Sequence, residues 1–330
     1  MLGLMGSPDS TTSVVLSAAA LPNVAPPPRF PTGRRSGRSR VRSWMKSYLR
    51  EADAGSGEAA SAADPSAALT AFGLRSDVLR RRIDDLDATD RARLALAAAW
   101  ASGAKWLTLI DPFGSVPGHL RTGLRGRFAE LVAQEGRGVV FSSNSLTDHA
   151  IAEAGVADIE KDQLVAFGSL EQIVTEPRGS LPAELSGVNV YSGLARKGWL
   201  CIGHSAVRAR TELDGKVFVT LGWRAALLSL DEHDPAFTSA TVFETIVTGL
   251  RDRGSCLQAK LSPVDTEMGL ALDVDLADLA GVTGGSTEAG FGVIHPGLGS
   301  TIAQLRANVR VGTHVFVEVD TSALHAYSVE

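Results

Sequence analysis

The chain has 330 residues, of which 44% are hydrophobic and 21% charged, as is typical of a globular protein with room for two cores. Its formal net charge of -5 argues against a nucleic-acid-binding protein, which normally has a basic surface. No apolar run approaches the roughly 18 residues of a membrane span. The apolar residues 14–20 also fail as a signal peptide, because Asp9 and no basic residue precedes them. We therefore expect a cytoplasmic protein.

The first 63 residues have the composition of a disordered tail. They are rich in Ser, Ala, Gly and Pro and can bury little apolar surface to offset chain entropy. A basic run follows three consecutive prolines and comprises Arg29, Arg34, Arg35, Arg38, Arg40, Arg42 and Lys46. This run is either a solvated tail, which includes the case of a misassigned start codon, or a contact for anionic lipid or nucleic acid. We predict disorder over residues 1–63.

Residues 64–180 alternate between helix and strand patterns. Some segments have apolar residues at helical spacing, and short apolar runs alternate with them. The predicted helices are 84–101, 119–134 and 146–154, and the predicted strands are 105–111, 138–142, 156–159 and 163–167. Such alternation indicates an α/β domain with a parallel sheet covered by helices.

Residues 181–330 have a different rhythm, with short strand-like runs separated by Gly, Asp and Pro. Regular short strands without intervening helices indicate a small barrel or sandwich. The predicted strands are 188–194, 198–202, 216–221, 240–250, 255–261, 291–294 and 314–319. We place the domain boundary between residues 177 and 187.

Four segments of the α/β part resemble motifs of the ATP-binding subunits of ABC importers, in the order and spacing of that family. Residues 86–99, LDATDRARLALAAA, resemble the signature helix, and residues 107–114, LTLIDPFG, resemble the Walker B strand. Residues 139–146, VVFSSNSL, resemble the switch-histidine segment, and residues 162–177 resemble the closing hairpin and helix. The resemblance implies a partial P-loop-NTPase-like sheet in this domain.

The same resemblance assigns site residues, most of them altered. Asp111 stands at the catalytic glutamate position, and Asn144 stands in place of the switch histidine. Asp87, Ala88 and Thr89 occupy the signature positions that would contact nucleotide on a partner subunit. The phosphate loop, Gly-x-x-x-x-Gly-Lys-Ser/Thr, occurs at none of the six lysines. The resemblance therefore implies a chain that does not hydrolyse ATP alone.

The β-rich part resembles the OB-type regulatory domain that follows the ATPase domain in importers of sugars, polyamines and molybdate. The similar segments are residues 188–193, 217–224, 238–244 and 311–320. In the family this domain mediates dimer contacts and binds regulators or oxyanions. Residues 223–225, WRA, depart from the Arg-Pro-Glu turn that is usual there.

These resemblances lead to two functional hypotheses of different classes. In the first, the chain is a non-hydrolysing ABC-importer subunit that acts in solute import as a homodimer, or in a complex with an ABC ATPase or permease at the membrane. In the second, a cytosolic effector- or oxyanion-binding module retains a relic ATPase domain; a decayed gene product is a further alternative. We expect no nucleic-acid partner and no metal site, and ATP with Mg²⁺ only if a partner supplies the phosphate loop.

A prediction about assembly follows from the missing phosphate loop. Without the first part of the fold, residues 106–110 would form a strand near the edge of the sheet, apolar on both faces and unpaired along one side. Such an edge favours self-association or a partner. We therefore expect a dimer or a hetero-complex.

Overall fold

The computed structural model describes residues 1–31, 39–55, 64–235, 237–238, 241–253, 256–276 and 309–329. The chain divides into two compact units, Met1–Leu185 and Ser186–Glu330. The division falls five residues beyond the predicted end of the α/β domain at residue 180. Within the described residues, no helix is long and apolar enough to cross a membrane.

The first unit is an α/β domain built on a six-stranded sheet of order β2-β3-β4-β1-β5-β6. The pairs β2–β3, β3–β4, β4–β1 and β1–β5 are parallel, and β6 returns antiparallel to β5 as a hairpin. The strands are β1 Leu2–Gly6, β2 Val24–Ala25, β3 Trp106–Ile110, β4 Gly138–Ser142, β5 Gly155–Glu160 and β6 Gln163–Gly168.

The helices of this unit begin at recognisable caps. Asp64, Asp87 and Ser169 each accept a hydrogen bond from the first turn, and the last forms a full capping box with Gln172. The described helices are α1 Pro8–Ala19, α2 Val41–Gly55, α3 Pro65–Ala71, α4 Ala88–Ala101, α5 Gly118–Glu135, α6 Leu146–His149, α7 Leu170–Thr175 and α8 Ser180–Ser186. Two 3₁₀ turns, Ser76–Arg80 and Ile83–Asp85, lie between α3 and α4.

The two faces of the sheet are covered unequally. The main core lies on the face where Met5, Leu109 and Phe141 pack against residues of α2, α4 and α5. On the opposite face α1 contributes Val15 to a small cluster with Leu4, Ala157 and Ile159. Strand residues alternate between these faces, as the two-residue period of a strand requires.

The predicted disorder of residues 1–63 is wrong for the described part of that segment. Residues 2–6 form the strand between β4 and β5, and residues 8–19 form α1. Helix α2 buries Trp44 and Tyr48, whose ring N–H and hydroxyl donate to backbone carbonyls at 2.8 and 2.9 Å. The average composition of residues 1–63 is that of a disordered tail, but the segment contains a short apolar strand and an amphipathic helix. Both contribute residues to the main core of the first unit.

The prediction that residues 106–110 lie near an edge of the sheet and are unpaired along one side is only partly right. Strand β3 lies second in the sheet, and the edges are β2 and β6. However, β2 has two residues and pairs only with Trp106 and Leu107. The Thr108 hydroxyl donates to the Ala25 carbonyl at 2.6 Å, which extends that contact by one residue. The strand therefore has a partner on both sides over only part of its length.

The second unit contains two five-stranded antiparallel sheets, of order β16-β10-β7-β8-β9 and β11-β15-β12-β13-β14, that share one apolar core. The Asn189 amide joins them, because it exchanges hydrogen bonds with the Asp273 backbone at 2.7 and 2.9 Å. The predicted strand 291–294 lies outside the described residues. The strands are β7 Val188–Arg196, β8 Trp199–Ile202, β9 Arg208–Arg210, β10 Gly215–Gly222, β11 Ala226–Ser229, β12 Val242–Asp252, β13 Leu257–Pro263, β14 Leu272–Leu276, β15 His314–Val319 and β16 His325–Ser328.

Candidate functional site

The candidate site lies at the carboxyl edge of the parallel sheet, where β1, β3 and β4 end side by side. In open α/β sheets, ligands bind outside the carboxyl ends of the strands, where the order of the strands reverses. The order here reverses at β1, since β1 lies between β4 and β5 while its own helix, α1, crosses to contact β3 and β4. Three connections therefore meet at this edge: β1 to α1, β3 to α5, and β4 to α6.

The connection between β1 and α1 consists of one residue. Strand β1 ends at Gly6, Ser7 caps α1 by accepting a hydrogen bond from the Ser10 N–H at 3.3 Å, and Pro8 begins the helix. A Cβ on Gly6 would lie 2.0 Å from the Ile159 carbonyl oxygen, so the strand end requires glycine. A phosphate loop needs several residues here to wrap its N–H groups around phosphate. This connection is too short to do so.

Asp111 follows β3 directly, in the left-handed conformation with φ of 41°. Its N–H donates to the Ser142 carbonyl at 3.1 Å, which fixes the residue beside the end of β4. Its carboxylate folds over Gly114, where a Cβ would lie 1.9 Å from Oδ2. Burial and the nearby Asp148 raise the pKa of Asp111, against the opposing effects of Arg121 and the Gly114 N–H. Much of the residue remains exposed, so Asp111 can reach a solute or a partner.

A buried polar network lies behind Asp111. Asp148 is fully buried and accepts two hydrogen bonds of 2.8 Å, one from the Arg125 guanidinium on α5 and one from the Ser143 hydroxyl. Ser143 in turn donates its N–H to the Leu4 carbonyl at 3.1 Å. The network therefore ties α5, the β4–α6 connection and β1 together, and it holds the carboxyl edge in one arrangement.

His149 is the second buried titratable group at this edge. Its Nε2 lies 2.8 Å from the Ser143 carbonyl oxygen, so Nε2 carries the proton. Its Nδ1 is buried without a hydrogen-bond partner among the described residues and lies against Gly3, where a Cβ would approach it to 2.3 Å. The ring also stacks on Phe141 at 5.5 Å. Burial lowers the pKa of His149, so we read it as a neutral packing residue.

The structure does not connect the predicted nucleotide-binding residues with Asp111. Asp87 caps α4 by accepting the Asp90 N–H at 2.7 Å. Ala88 and Thr89 are the first residues of that helix. Asn144 is exposed between Ser143 and α6, and within the described residues it has no side-chain hydrogen bond. The prediction that these four residues contact nucleotide remains a prediction.

The residues at this edge do not fit MgATP. The first turn of α1 carries Asp9 and no cation, although triphosphate needs positive charge where a helix begins. Arg121 donates to the Gly114 carbonyl at 2.8 Å, and Arg125 is held by Asp148. Among the residues that the structure describes, no three His, Cys, Asp or Glu side chains form a metal site.

Sequence reasoning missed the β1–α1 junction and the Arg125–Asp148 pair. The junction has a local signal, since Ser7 and Pro8 are favoured as an N-cap and first helical residue. That signal lies in a segment that we classified by composition alone. The pair has no local signal, because its members lie 23 residues apart on different elements.

Part of the chain is similar in sequence to a protein of molybdenum import. A stretch of 113 residues is 27% identical to the molybdenum import ATP-binding protein ModC of two strains of Mycobacterium tuberculosis. The stretch covers 34% of this chain and 31% of the relative, so the chain matches about a third of the length of these relatives. No protein-family model matches the chain. The similarity supports an ABC-ATPase-like first domain.

Among solved structures, the chain aligns with ABC proteins at TM-scores of 0.40 to 0.44. The dimeric structure of a bacterial ABC transporter cassette has 11% identity and a TM-score of 0.40, over 52% of this chain and 85% of that one. An inward-facing structure of a putative metal-chelate type ABC transporter has 15% identity and a TM-score of 0.44, over 64% and 86%.

Proposed function

We propose that the chain is a non-hydrolysing homologue of the ATP-binding subunits of ABC importers, which acts in solute import as a regulatory or structural subunit. It would do so by contact with an ABC ATPase or a permease, or as a homodimer. The proposal rests on the similarity to ModC together with the loss of each group that would handle phosphate.

The single observation that carries the proposal is the β1–α1 junction. Ser7 alone connects the strand to the helix, and Asp9 follows in the first turn. A carboxylate at a helix N-terminus stabilises the helix, but its charge repels a triphosphate. The junction therefore retains the supporting strand and helix of a nucleotide site and lacks its binding groups.

Calorimetry of the full chain with MgATP tests the loss of nucleotide binding. We expect no saturable affinity below millimolar concentration, because the donors that would balance the desolvation of three phosphates are missing. ModC from Mycobacterium tuberculosis, titrated under the same conditions, is the positive control. Micromolar affinity in this chain, abolished by placing a bulky residue at Ser7, would contradict the proposal.

Sedimentation equilibrium and co-purification test the proposed assembly. Strand β6 is an edge strand, and β2 pairs with only part of β3. Each side of the sheet therefore has backbone N–H and C=O groups with no neighbouring strand among the described residues. We expect a dimer, or a complex with an intact ATPase or permease. A cooperative monomer of 34.6 kDa that captures neither partner would argue against a subunit role.

The alternative function is binding of an effector or oxyanion by the second unit, with the first unit as a relic. The relative, a molybdenum import ATP-binding protein, favours this alternative because molybdenum is taken up as an oxyanion. Two sheets around one core, joined through Asn189, support the proposed OB-type barrel. Titration with molybdate separates the two: saturable binding by a chain without a protein partner favours the alternative.

A further inference from the structure

A cleft lined by three cations lies along α2. Its volume is about 960 Å³, which is within the range of small-molecule sites. Residues 42–53 of α2 and the start of α3 form two of its walls, and Ser102, at the end of α4, contributes a third. The basic run noted in the sequence contributes Arg42 and Lys46 to this cleft.

Three cations line the cleft from one face of α2. Arg42, Lys46 and Arg50 are spaced four residues apart, so successive side chains lie about 6 Å apart along the helix. All three are exposed, and none forms an ion pair or hydrogen bond within the described part of the chain. The opposite face of α2 is anchored by Trp44 and Tyr48, so the three charges are held on a fixed helix.

The cleft is also lined by apolar and acidic residues, which limit the ligands that fit. Met45, Leu49 and Leu79 provide apolar surface at the base of the cations. Two carboxylates, Asp53 and Asp64, also line the cleft, and Asp64 caps α3 by accepting the Ser66 N–H at 3.1 Å. The three cations exceed the two carboxylates by one, so the net charge of the cleft is positive.

We propose that this cleft binds a phosphate ester, with the phosphate held by Arg42, Lys46 and Arg50 and an apolar group against Met45 and Leu49. Guanidinium and ammonium groups form charge-assisted hydrogen bonds to phosphate oxygens, and arginine can do so with two N–H groups at once. A soluble phosphate ester and a phospholipid headgroup present the same chemistry. The site is separate from the β1–α1 junction and is independent of the proposed function.

Two measurements on the full chain distinguish the sources of phosphate. Calorimetry with inorganic pyrophosphate reports binding of a free ligand. Co-sedimentation with phosphatidylcholine vesicles that contain phosphatidic acid, compared with pure phosphatidylcholine vesicles, reports binding of a headgroup. We expect saturable binding in at least one of them. Binding in neither would overturn the proposal, as would binding only to a single-stranded oligonucleotide.

Variants that lack the three cations test whether the phosphate binds in the cleft. The triple variant Arg42→Gln, Lys46→Gln, Arg50→Gln should weaken binding tenfold or more, while its far-UV spectrum and thermal midpoint stay unchanged. The matched control is Arg75→Gln, Lys105→Gln, Lys161→Gln, which removes the same charge from exposed positions outside the cleft.

The control variant should bind like the wild type. Equal weakening in both triple variants would show a general charge effect and overturn the proposal, as would undiminished binding by the cleft variant. If the triple cleft variant fails to fold, Arg42→Gln and Arg50→Gln are measured singly. Each should then weaken binding about threefold, and no change in either would overturn the proposal.

Discussion

The substitution Arg125→Met tests the buried network behind the candidate site. The Arg125 side chain is 12% exposed and its partner Asp148 is fully buried, with 2.8 Å between Nη1 and Oδ1. Methionine keeps much of the length of the side chain and removes the charge. Asp148 then remains buried with the Ser143 hydroxyl as its hydrogen-bond donor.

The expected loss is about 3–5 kcal/mol in the free energy of unfolding, because removing one member of a buried pair leaves the other charge uncompensated. This range is a large fraction of the total stability of an ordinary domain. Urea unfolding at pH 7, followed by far-UV circular dichroism, measures it. The substitution should lower the midpoint of the first unit and leave the second unit unaffected.

Arg127→Met is the matched control. Arg127 lies on the same helix, donates to the Ala71 carbonyl at 3.2 Å and contacts Glu130 at 3.4 Å, but the Arg127 and Glu130 side chains are 45% and 64% exposed. Removing these exposed contacts costs about 1 kcal/mol or less. The second control is the double variant Arg125→Met, Asp148→Asn, which should regain about 1–2 kcal/mol because a neutral amide is less costly to bury than a carboxylate.

Equal destabilisation by Arg125→Met and Arg127→Met would refute the reasoning. So would a double variant that is no more stable than Arg125→Met, because the uncompensated carboxylate would then not be the cause of the loss.

Two further predictions concern stability. Burial raises the pKa of Asp158 to about 6, so the folded state binds the proton of this carboxyl more tightly than the unfolded state does. The stability that the proton gives to the folded state is therefore lost as the pH rises from about 4 to 6. Asp158→Asn should therefore gain about 1–2 kcal/mol in urea unfolding at pH 8 and nothing at pH 4; the same gain at both values would contradict this. Gly6→Ala should cost more than about 2 kcal/mol, because its Cβ would lie 2.0 Å from the Ile159 carbonyl oxygen. A Cβ at Gly126, on α5, would meet no neighbouring atom, so Gly126→Ala should instead stabilise the protein by about 0.5–1 kcal/mol in thermal unfolding. A lower stability of this variant would contradict the helical environment of Gly126.

The sequence predicted the elements whose signals are local. Residues 105–111 and 138–142 contain β3 and β4, and residues 84–101 contain α4 with its Asp87 cap. These segments have regular periodicity and clear ends, so their secondary structure can be predicted from the local sequence alone. The switch to a β-rich second unit could be predicted for the same reason.

The parts that sequence reasoning missed depend on distant residues. Strand β1 has five residues and becomes stable only between β4 and β5, which lie more than 130 residues further along the chain. A composition average over residues 1–63 is dominated by Ser, Ala, Gly and Pro and cannot register so short a strand. The Arg125–Asp148 pair is likewise a product of packing rather than of spacing.

The central position of β1 has a consequence for how the protein is made and handled. This strand is synthesised before its neighbour β5, which ends at Glu160, so about 8 to 30 seconds of translation separate the two at ordinary rates. Until then the middle of the sheet cannot form, and the early segment has no neighbours to pair with. A shortened protein beginning at Asp64, the natural choice from composition, would lack the central strand rather than a tail.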